Sequence, residues 1–221
     1  MNHRAALFDM DGTLLDTLRD IAGSMNAVLG ARGLPGHPVE RYRDFVGDGM
    51  ENLVRRVLPP GPHDEATVRA MVGEMRSEYA WRWDRTTRLY PGMDRLLDAL
   101  RGRGMPLAIL SNKPDDFTRE MAARFLGRWE FAVVAGMREG VPIKPDPAAA
   151  LEIAQTMRIE PGEFIYLGDT GTDMRTAVRA GMFPVGVLWG FRGEKELRDN
   201  GARVLLESPP DMLDLLDAKG G

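Results

Sequence analysis

The sequence predicts an α/β fold: a doubly wound parallel (Rossmann-like) sheet core with an inserted all-helical cap. Three observations carry this expectation. From Pro91 onward, short β-type runs alternate with amphipathic stretches. Those runs are apolar throughout rather than strictly alternating, as strands covered on both faces are. Between the first such run and the others lies a segment, about Thr17 to Arg82, with helical periodicity and no strand pattern.

Taken in order, Arg4-Ala5-Ala6-Leu7-Phe8 opens the sheet. In the insertion, Leu18, Ile21, Met25, Val28 and Leu29 share one helical face. Met50, Leu53, Val54 and Val57 form a second stripe, and Val68, Met71, Val72, Met75 and Tyr79 a third. Gly33-Leu34-Pro35-Gly36 and Pro59-Pro60-Gly61-Pro62 punctuate them. Further strands are expected at Pro106–Leu110, Phe131–Ala135, Phe164–Leu167, Val185–Leu188 and Arg203–Leu206. Helical patterns lie near 92–102, 115–126, 146–157, 173–180 and 210–217. Alternating strand and helix imply right-handed crossovers. The expected division is therefore a core of residues 1–16 and 83–221 and a cap of residues 17–82.

Composition narrows the function. At 221 residues the chain exceeds one average domain of roughly 150 residues, which leaves room for a core carrying a smaller insertion. Hydrophobic residues make up 43% and charged residues 28%, as in a globular protein that buries a core. The 29 basic and 33 acidic residues give a net charge of −4 with both signs mixed. No basic stripe points to nucleic acid or to a membrane surface. The absence of cysteine removes disulfides, thiolate metal sites and cysteine nucleophiles together. Apolar runs fall far below the ~18 residues of a membrane span. The chain is strand-like by Ala5, which leaves no room for an export signal. The expectation is a cytosolic monomer or homodimer without nucleic-acid or membrane partners. His3, His37 and His63 show no metal-ligand spacing, Trp81 and Trp83 are expected to pack at the cap hinge, and Arg55-Arg56 to form a wet helix face.

Open parallel sheets bind ligands beyond the carboxyl ends of their strands, where strand order reverses. The residues that end the apolar runs are therefore the ones to inspect. They are Asp9-Met10-Asp11-Gly12-Thr13, Ser111-Asn112-Lys113, and Gly168-Asp169-Thr170-Gly171-Thr172-Asp173, with Lys144-Pro145-Asp146-Pro147 ahead of a helix. Singly, each has an ordinary reading. Asp-Gly-Thr is a common turn, Ser111 or Thr170 can cap a helix, and Asp146-Pro147 fits a helix start. Together, they deliver carboxylates, a hydroxyl and a lysine to one sheet edge.

The joint pattern resembles the haloacid-dehalogenase-like hydrolase superfamily. Asp9-Met10-Asp11-Gly12-Thr13 matches its first motif, Ser111 its second, Lys144 its third, and Asp169 with Asp173 its fourth. Phe45-Val46-Gly47-Asp48-Gly49, Leu89-Tyr90-Pro91-Gly92 and Ser111-Asn112-Lys113-Pro114 are similar to the phosphoglycolate phosphatase branch. Thr170 stands where many relatives carry serine and keeps the hydroxyl.

The resemblance implies a Mg²⁺-dependent phosphatase acting on a small phosphorylated metabolite. Asp9 would attack phosphorus to give an aspartyl-phosphate. Asp11 would protonate the leaving oxygen and later take a proton from water. Asp9, Asp169 and the main-chain carbonyl of Asp11 would hold Mg²⁺, with Asp173 acting from behind them. Ser111, Asn112 and Lys144 would hold the phosphate, while Gly12 and Thr13 would shape the turn. Hinges are expected near Leu15–Thr17 and Arg82–Leu89, so that the cap closes over the site. Gly47 would offer N–H groups to the substrate, and Arg43 and Lys113 are candidates for a substrate carboxylate. A sugar-phosphate mutase, a phosphatase of another small metabolite or pyrophosphate, and a phosphoacceptor signalling module share parts of this pattern. A dehalogenase would need neither Asp11 nor a metal, and a phosphonatase would lack the acid at position 11.

Overall fold

The computed structural model describes residues 3–218. In chain order the elements are β1 (Ala5–Phe8), β2 (Leu15–Asp16), α1 (Leu18–Ala31), α2 (Tyr42–Phe45), α3 (Met50–Val57), α4 (Glu65–Ala80) and β3 (Arg88–Leu89). They continue with α5 (Met93–Gly102), β4 (Leu107–Pro114), α6 (Asp115–Leu126), β5 (Phe131–Met137) and α7 (Ala148–Met157). The last are β6 (Phe164–Gly168), α8 (Gly171–Ala180), β7 (Phe183–Val187), α9 (Glu194–Asp199), β8 (Val204–Leu206) and α10 (Asp211–Asp217).

Six strands form one sheet in the order β5-β4-β1-β6-β7-β8, and every neighbouring pair is parallel. Side chains in β1 alternate between two hydrophobic clusters: Ala6 and Phe8 face one, Ala5 and Leu7 the other. In β6, Ile165 and Leu167 join the first cluster and Phe164 and Tyr166 the second. Both faces of the sheet are thus covered, which explains the unbroken apolar runs. Strand order reverses around β1: the chain runs outward to β4 and β5, then returns to β6 on the other side. The carboxyl ends of β1, β4 and β6 meet at that switch point.

The helices from Leu18 to Ala80 carry the three expected stripes, and their buried residues Met25, Leu29, Val54, Met71 and Met75 join the first cluster. Apolar packing therefore runs from the sheet into the insertion without a break. The segment is tied at its two ends by β2 and β3, an antiparallel pair with Leu15 opposite Leu89 and Asp16 opposite Arg88. The buried Asp20 carboxylate accepts from the N–H and hydroxyl groups of both Thr86 and Thr87, at 2.7–3.1 Å. Among the described residues, no helix is long and apolar enough to cross a membrane.

The structure corrects several boundaries. β4 continues through Ser111, Asn112 and Lys113 to Pro114, and the register with β5 shifts between Leu110 and Pro114. β5 extends to Met137, and β7 begins at Phe183 and ends at Val187. The short pieces β2, β3, α2 and α9 left no periodic signal, because none is long enough to display one. Trp81 does not pack at the hinge: it is 77% exposed, just past the end of α4, whereas Trp83 is buried edge-on against Phe125. Of the basic pair, Arg55 reaches Glu51 and Glu65, but Arg56 also donates to Phe45 O at 3.0 Å and pairs with Asp48.

Candidate active site

β1 pairs one residue beyond its end, the Asp9 N–H donating to Leu167 O at 2.9 Å. The chain then turns tightly, with Met10 O accepting from Thr13, Leu14 and Leu15. Gly12 lies in this turn at φ +90°, and a Cβ there would stand 2.3 Å from Asp169 Oδ2. Both the left-handed backbone and the close approach require glycine. The turn therefore sets Asp9, Asp11 and Thr13 against the end of β6.

At the end of β6, Asp169 accepts from Thr13 Oγ1 (3.1 Å) and from Phe191 N (2.8 Å). Thr170 caps α8 in a reciprocal pair with Asp173, whose Oδ2 accepts from Thr170 N (3.1 Å) and Oγ1 (2.6 Å). The capping reading of Thr170 thus holds, and the cap itself orients Asp173. Lys144, 3% exposed, donates to Asp9 Oδ1 (2.8 Å), Asp173 Oδ1 (2.6 Å) and Leu110 O (3.1 Å). Tyr166 adds a hydroxyl 3.3 Å from Asp173 Oδ1.

Asp9, Asp169 and Asp173 each place an oxygen within 4.8 Å of the others, all three buried. Three carboxylates face one ammonium, and two unit charges ~4 Å apart at an effective dielectric near 20 repel by roughly 4 kcal/mol. Asp9 is accordingly pushed up from 3.8 to about 7, by burial first and the Asp173 charge second, against the pull of Lys144. Asp169 is raised well above the usual carboxylate range, again by burial and then by Asp9 and Asp173. Burial works against a charged Lys144, but Asp173 and Asp9 override it and hold its ammonium well above the usual range. A buried oxygen-only donor set with unneutralised charge is the chemistry that suits a hard divalent cation.

The remaining expected residues fall into two groups. Ser111 lines the same cavity as Asp9, its Oγ accepting from Lys113 N at 3.3 Å. Asn112 also lines it, but its side chain is spent on backbone: Nδ2 donates to Gly47 O and Lys144 O, and Oδ1 accepts from Lys144 N. It fastens the Lys144 loop to β4 and to the insertion. Lys113 Nζ grips Asp11, at 2.8 Å from Oδ2 and 3.0 Å from Oδ1. Arg43 instead donates to Gly190 O at 2.6 Å and stands outside the cavity lining. Gly47 and Gly49 border the cavity ahead of α3, at φ +126° and +87°.

Sequence reasoning missed several members of this assembly. Tyr166 carries a polar tip in an apolar strand, a signal that was present in Phe164-Ile165-Tyr166-Leu167. Tyr79 is a core residue, as its stripe predicts, and its ring also lies 4.5 Å from the Lys113 ammonium. Trp189 Nε1 donates to Thr13 O at 2.9 Å. Asp48 Oδ1 accepts from Thr172 Oγ1 at 2.7 Å, and Arg192 Nη2 donates to Val46 O at 2.9 Å. Both join the insertion to the sheet, and neither has a local sequence signature.

Comparison with known proteins agrees with this geometry. Residues 6–187 match the family model described as haloacid dehalogenase-like hydrolase. The phosphoglycolate phosphatase of Pseudomonas putida is 32% identical over 221 aligned residues, covering 97% of this chain and 78% of the relative. That of Chromobacterium violaceum is 31% identical and covers 96% of each. A crystal structure from Lactobacillus delbrueckii subsp. bulgaricus superposes with a TM-score of 0.90 at 26% identity, over 98% of this chain and 99% of that one. Another, from Haemophilus somnus, shares the fold with a TM-score of 0.89 at 24% identity, over 97% and 98%. This chain therefore belongs to the haloacid dehalogenase-like hydrolase family, on the branch of the phosphoglycolate phosphatases.

Proposed function

We propose that this phosphoric monoester hydrolase acts on 2-phosphoglycolate, with Mg²⁺ as its metal and Asp9 as its nucleophile. The observation that carries the reading is the joint placement at one sheet edge of the Asp9–Asp169–Asp173 cluster, Lys144 and Asp11. The names of the relatives supply the substrate.

Asp9 and Asp169, with the main-chain carbonyl of Asp11, would hold the cation. Asp173, held by the Lys144 ammonium and by the reciprocal cap with Thr170, would act from behind them. The cation supplies positive charge that lets an anionic nucleophile and an anionic phosphate approach each other.

The chain's own residues do the rest. Lys144 and Ser111 bind the non-bridging phosphate oxygens, whose charge shifts during transfer. An Asp9 oxygen forms a bond to phosphorus as the bond to the ester oxygen breaks. Asp11 gives that oxygen a proton, so that glycolate leaves as an alcohol rather than an alkoxide. Water then attacks the phosphorus, Asp11 takes its proton, and orthophosphate departs with Asp9 restored. Residues 17–82 serve as a cap. The cavity beneath it is lined by Asp9, Asp11, Ser111 and Lys113 from the core and by Ile21, Leu53, Met75 and Tyr79 from the insertion.

A phosphate-release screen tests this reading with 2-phosphoglycolate beside sugar phosphates, nucleotides and pyrophosphate, with Mg²⁺ and with chelator. The reading requires chelator-sensitive release, fastest with 2-phosphoglycolate. Undiminished turnover in chelator, or phosphate trapped on a residue other than Asp9, overturns the mechanism. A failure with 2-phosphoglycolate alone overturns only the substrate.

A further inference from the structure

The cavity is lined by the polar side chains of Asp9, Asp11 and Ser111 and by the apolar side chains of Ile21, Val46, Leu53 and Met75. Of the described residues that line it, Lys113 is the one with a positive charge. Its side chain is 6% exposed, lies 4.5 Å from the Tyr79 ring, and holds both oxygens of Asp11. Arg43, the other sequence candidate for a substrate anion, is committed to Gly190 O outside this space.

We infer that Lys113 is the specificity-determining residue of the cavity, and that it selects phosphate monoesters bearing a second anionic group close to the ester oxygen. This rests on the hydrolase reading above and adds a substrate class to it. The geometry follows from the acid. Asp11 must stand within hydrogen-bond reach of the ester oxygen to protonate it, and Lys113 Nζ is 2.8 Å from Asp11. The ammonium therefore lies no more than about 6 Å from that oxygen, two hydrogen-bond lengths in sequence. A carboxylate whose carbon is two bonds from the ester oxygen reaches it; a charge at the end of a longer chain is carried past it.

The remaining wall sharpens the choice. An ammonium 4.5 Å from a tyrosine ring and 6% exposed lies where charge pairing is strong and water is scarce. Hydroxyl-rich leaving groups find few partners along the apolar wall, and each buried hydroxyl left unpaired lowers affinity roughly tenfold to a hundredfold. The class selected is short phosphorylated 2-hydroxy acids, and polyol phosphates are disfavoured.

Comparing kcat/KM of the wild-type enzyme and Lys113→Met on 2-phosphoglycolate, ethyl phosphate and glycerol 3-phosphate tests the inference. Wild-type enzyme is expected to prefer 2-phosphoglycolate over ethyl phosphate by about a hundredfold, the scale of one charge-assisted hydrogen bond. In Lys113→Met this ratio is expected to fall toward one. A residue that only positions Asp11 would slow both alkyl esters alike and leave the ratio intact, and that result overturns the subsite while the proposed substrate stands. Wild-type enzyme with no preference for the carboxylated ester overturns the subsite and the proposed substrate together, and that measurement needs no variant to fold.

Discussion

The sheet edge and the inserted helices meet across one cavity but are built on opposite principles. On the sheet side nearly every polar atom is fixed by a neighbour: Asp169 by Thr13 and Phe191, Asp173 by Thr170, Lys144 and Tyr166, and Lys144 in turn by Asp9 and Leu110 O. The backbone is pressed against these carboxylates. A Cβ at Gly168 would lie 2.2 Å from Asp173 Cβ, and one at Gly190 2.2 Å from Asp169 Cβ. The helical side offers apolar walls and is joined to the edge by a few separate hydrogen bonds: Asp48 with Thr172, Asn112 with Gly47, Arg43 with Gly190 and Arg192 with Val46. Groups that stabilise a transition state need preorganisation, which packing on a sheet supplies. The helical side instead presents apolar surface, continuous with its packing onto the sheet.

The contrast predicts a graded set of effects. Asp9→Asn is expected to lower kcat by about 10⁴-fold or more, the scale of a lost nucleophile. Its metal-free melting temperature should not fall, because a buried, disfavoured charge is removed; a large loss of stability would mean that the edge is structural first.

Asp11→Ala should cost about 10²- to 10⁴-fold with alkyl phosphates and far less with p-nitrophenyl phosphate, whose leaving group needs little protonation. Equal losses on both substrates would deny Asp11 the acid's role.

Metal binding at the proposed site would depend on pH. The folded-state value of Asp9, about 7, lies above its ordinary 3.8. Without metal the folded protein thus binds the extra proton and loses stability as pH rises from about 4 through 7. A cation held by Asp9, as proposed, would have to displace that proton below pH 7. Mg²⁺ affinity is therefore expected to weaken by up to about tenfold per pH unit there, and the rise in melting temperature on adding Mg²⁺ to be larger at pH 8 than at pH 5.5. Calorimetry and thermal scans read both; a pH-independent affinity would place the ion elsewhere.

The smallest effect belongs to the joint between the sides. Thr172→Val removes the hydroxyl that the Asp48 carboxylate accepts from and should cost about 1.5–2 kcal/mol, the low end for a hydrogen bond to a charged group. It is expected to raise KM a few-fold and leave kcat within about twofold. A hundredfold fall in kcat would show that this contact belongs to the chemistry.

Much of the sheet edge was legible because its signals are local. An apolar run that stops at Asp9 or at Asp169 marks a strand end within a few residues, and α6 begins and ends where its periodicity does. The misjudged pieces were those whose fate depends on distant partners. Ser111-Asn112-Lys113 is polar and reads as lying past the strand end at Leu110, yet it continues β4, where Asn112 meets Lys144 and Lys113 meets Asp11. Trp81 and Trp83 differ by two positions at a helix end, and only the location of Phe125 decides which is covered.

The sequence by itself determined the alternation of strand and helix, the helical insertion and the acidic residues at the strand ends, since side-chain periodicity and turn chemistry act over a handful of residues. The tertiary structure alone decided which charges meet. Asp9 and Lys144 stand 135 positions apart, and Asp11 and Lys113 stand 102 apart. The parallel register of β1 with β4 and β6 brings them together, and a low-dielectric interior then favours these carboxylates beside an ammonium over isolation.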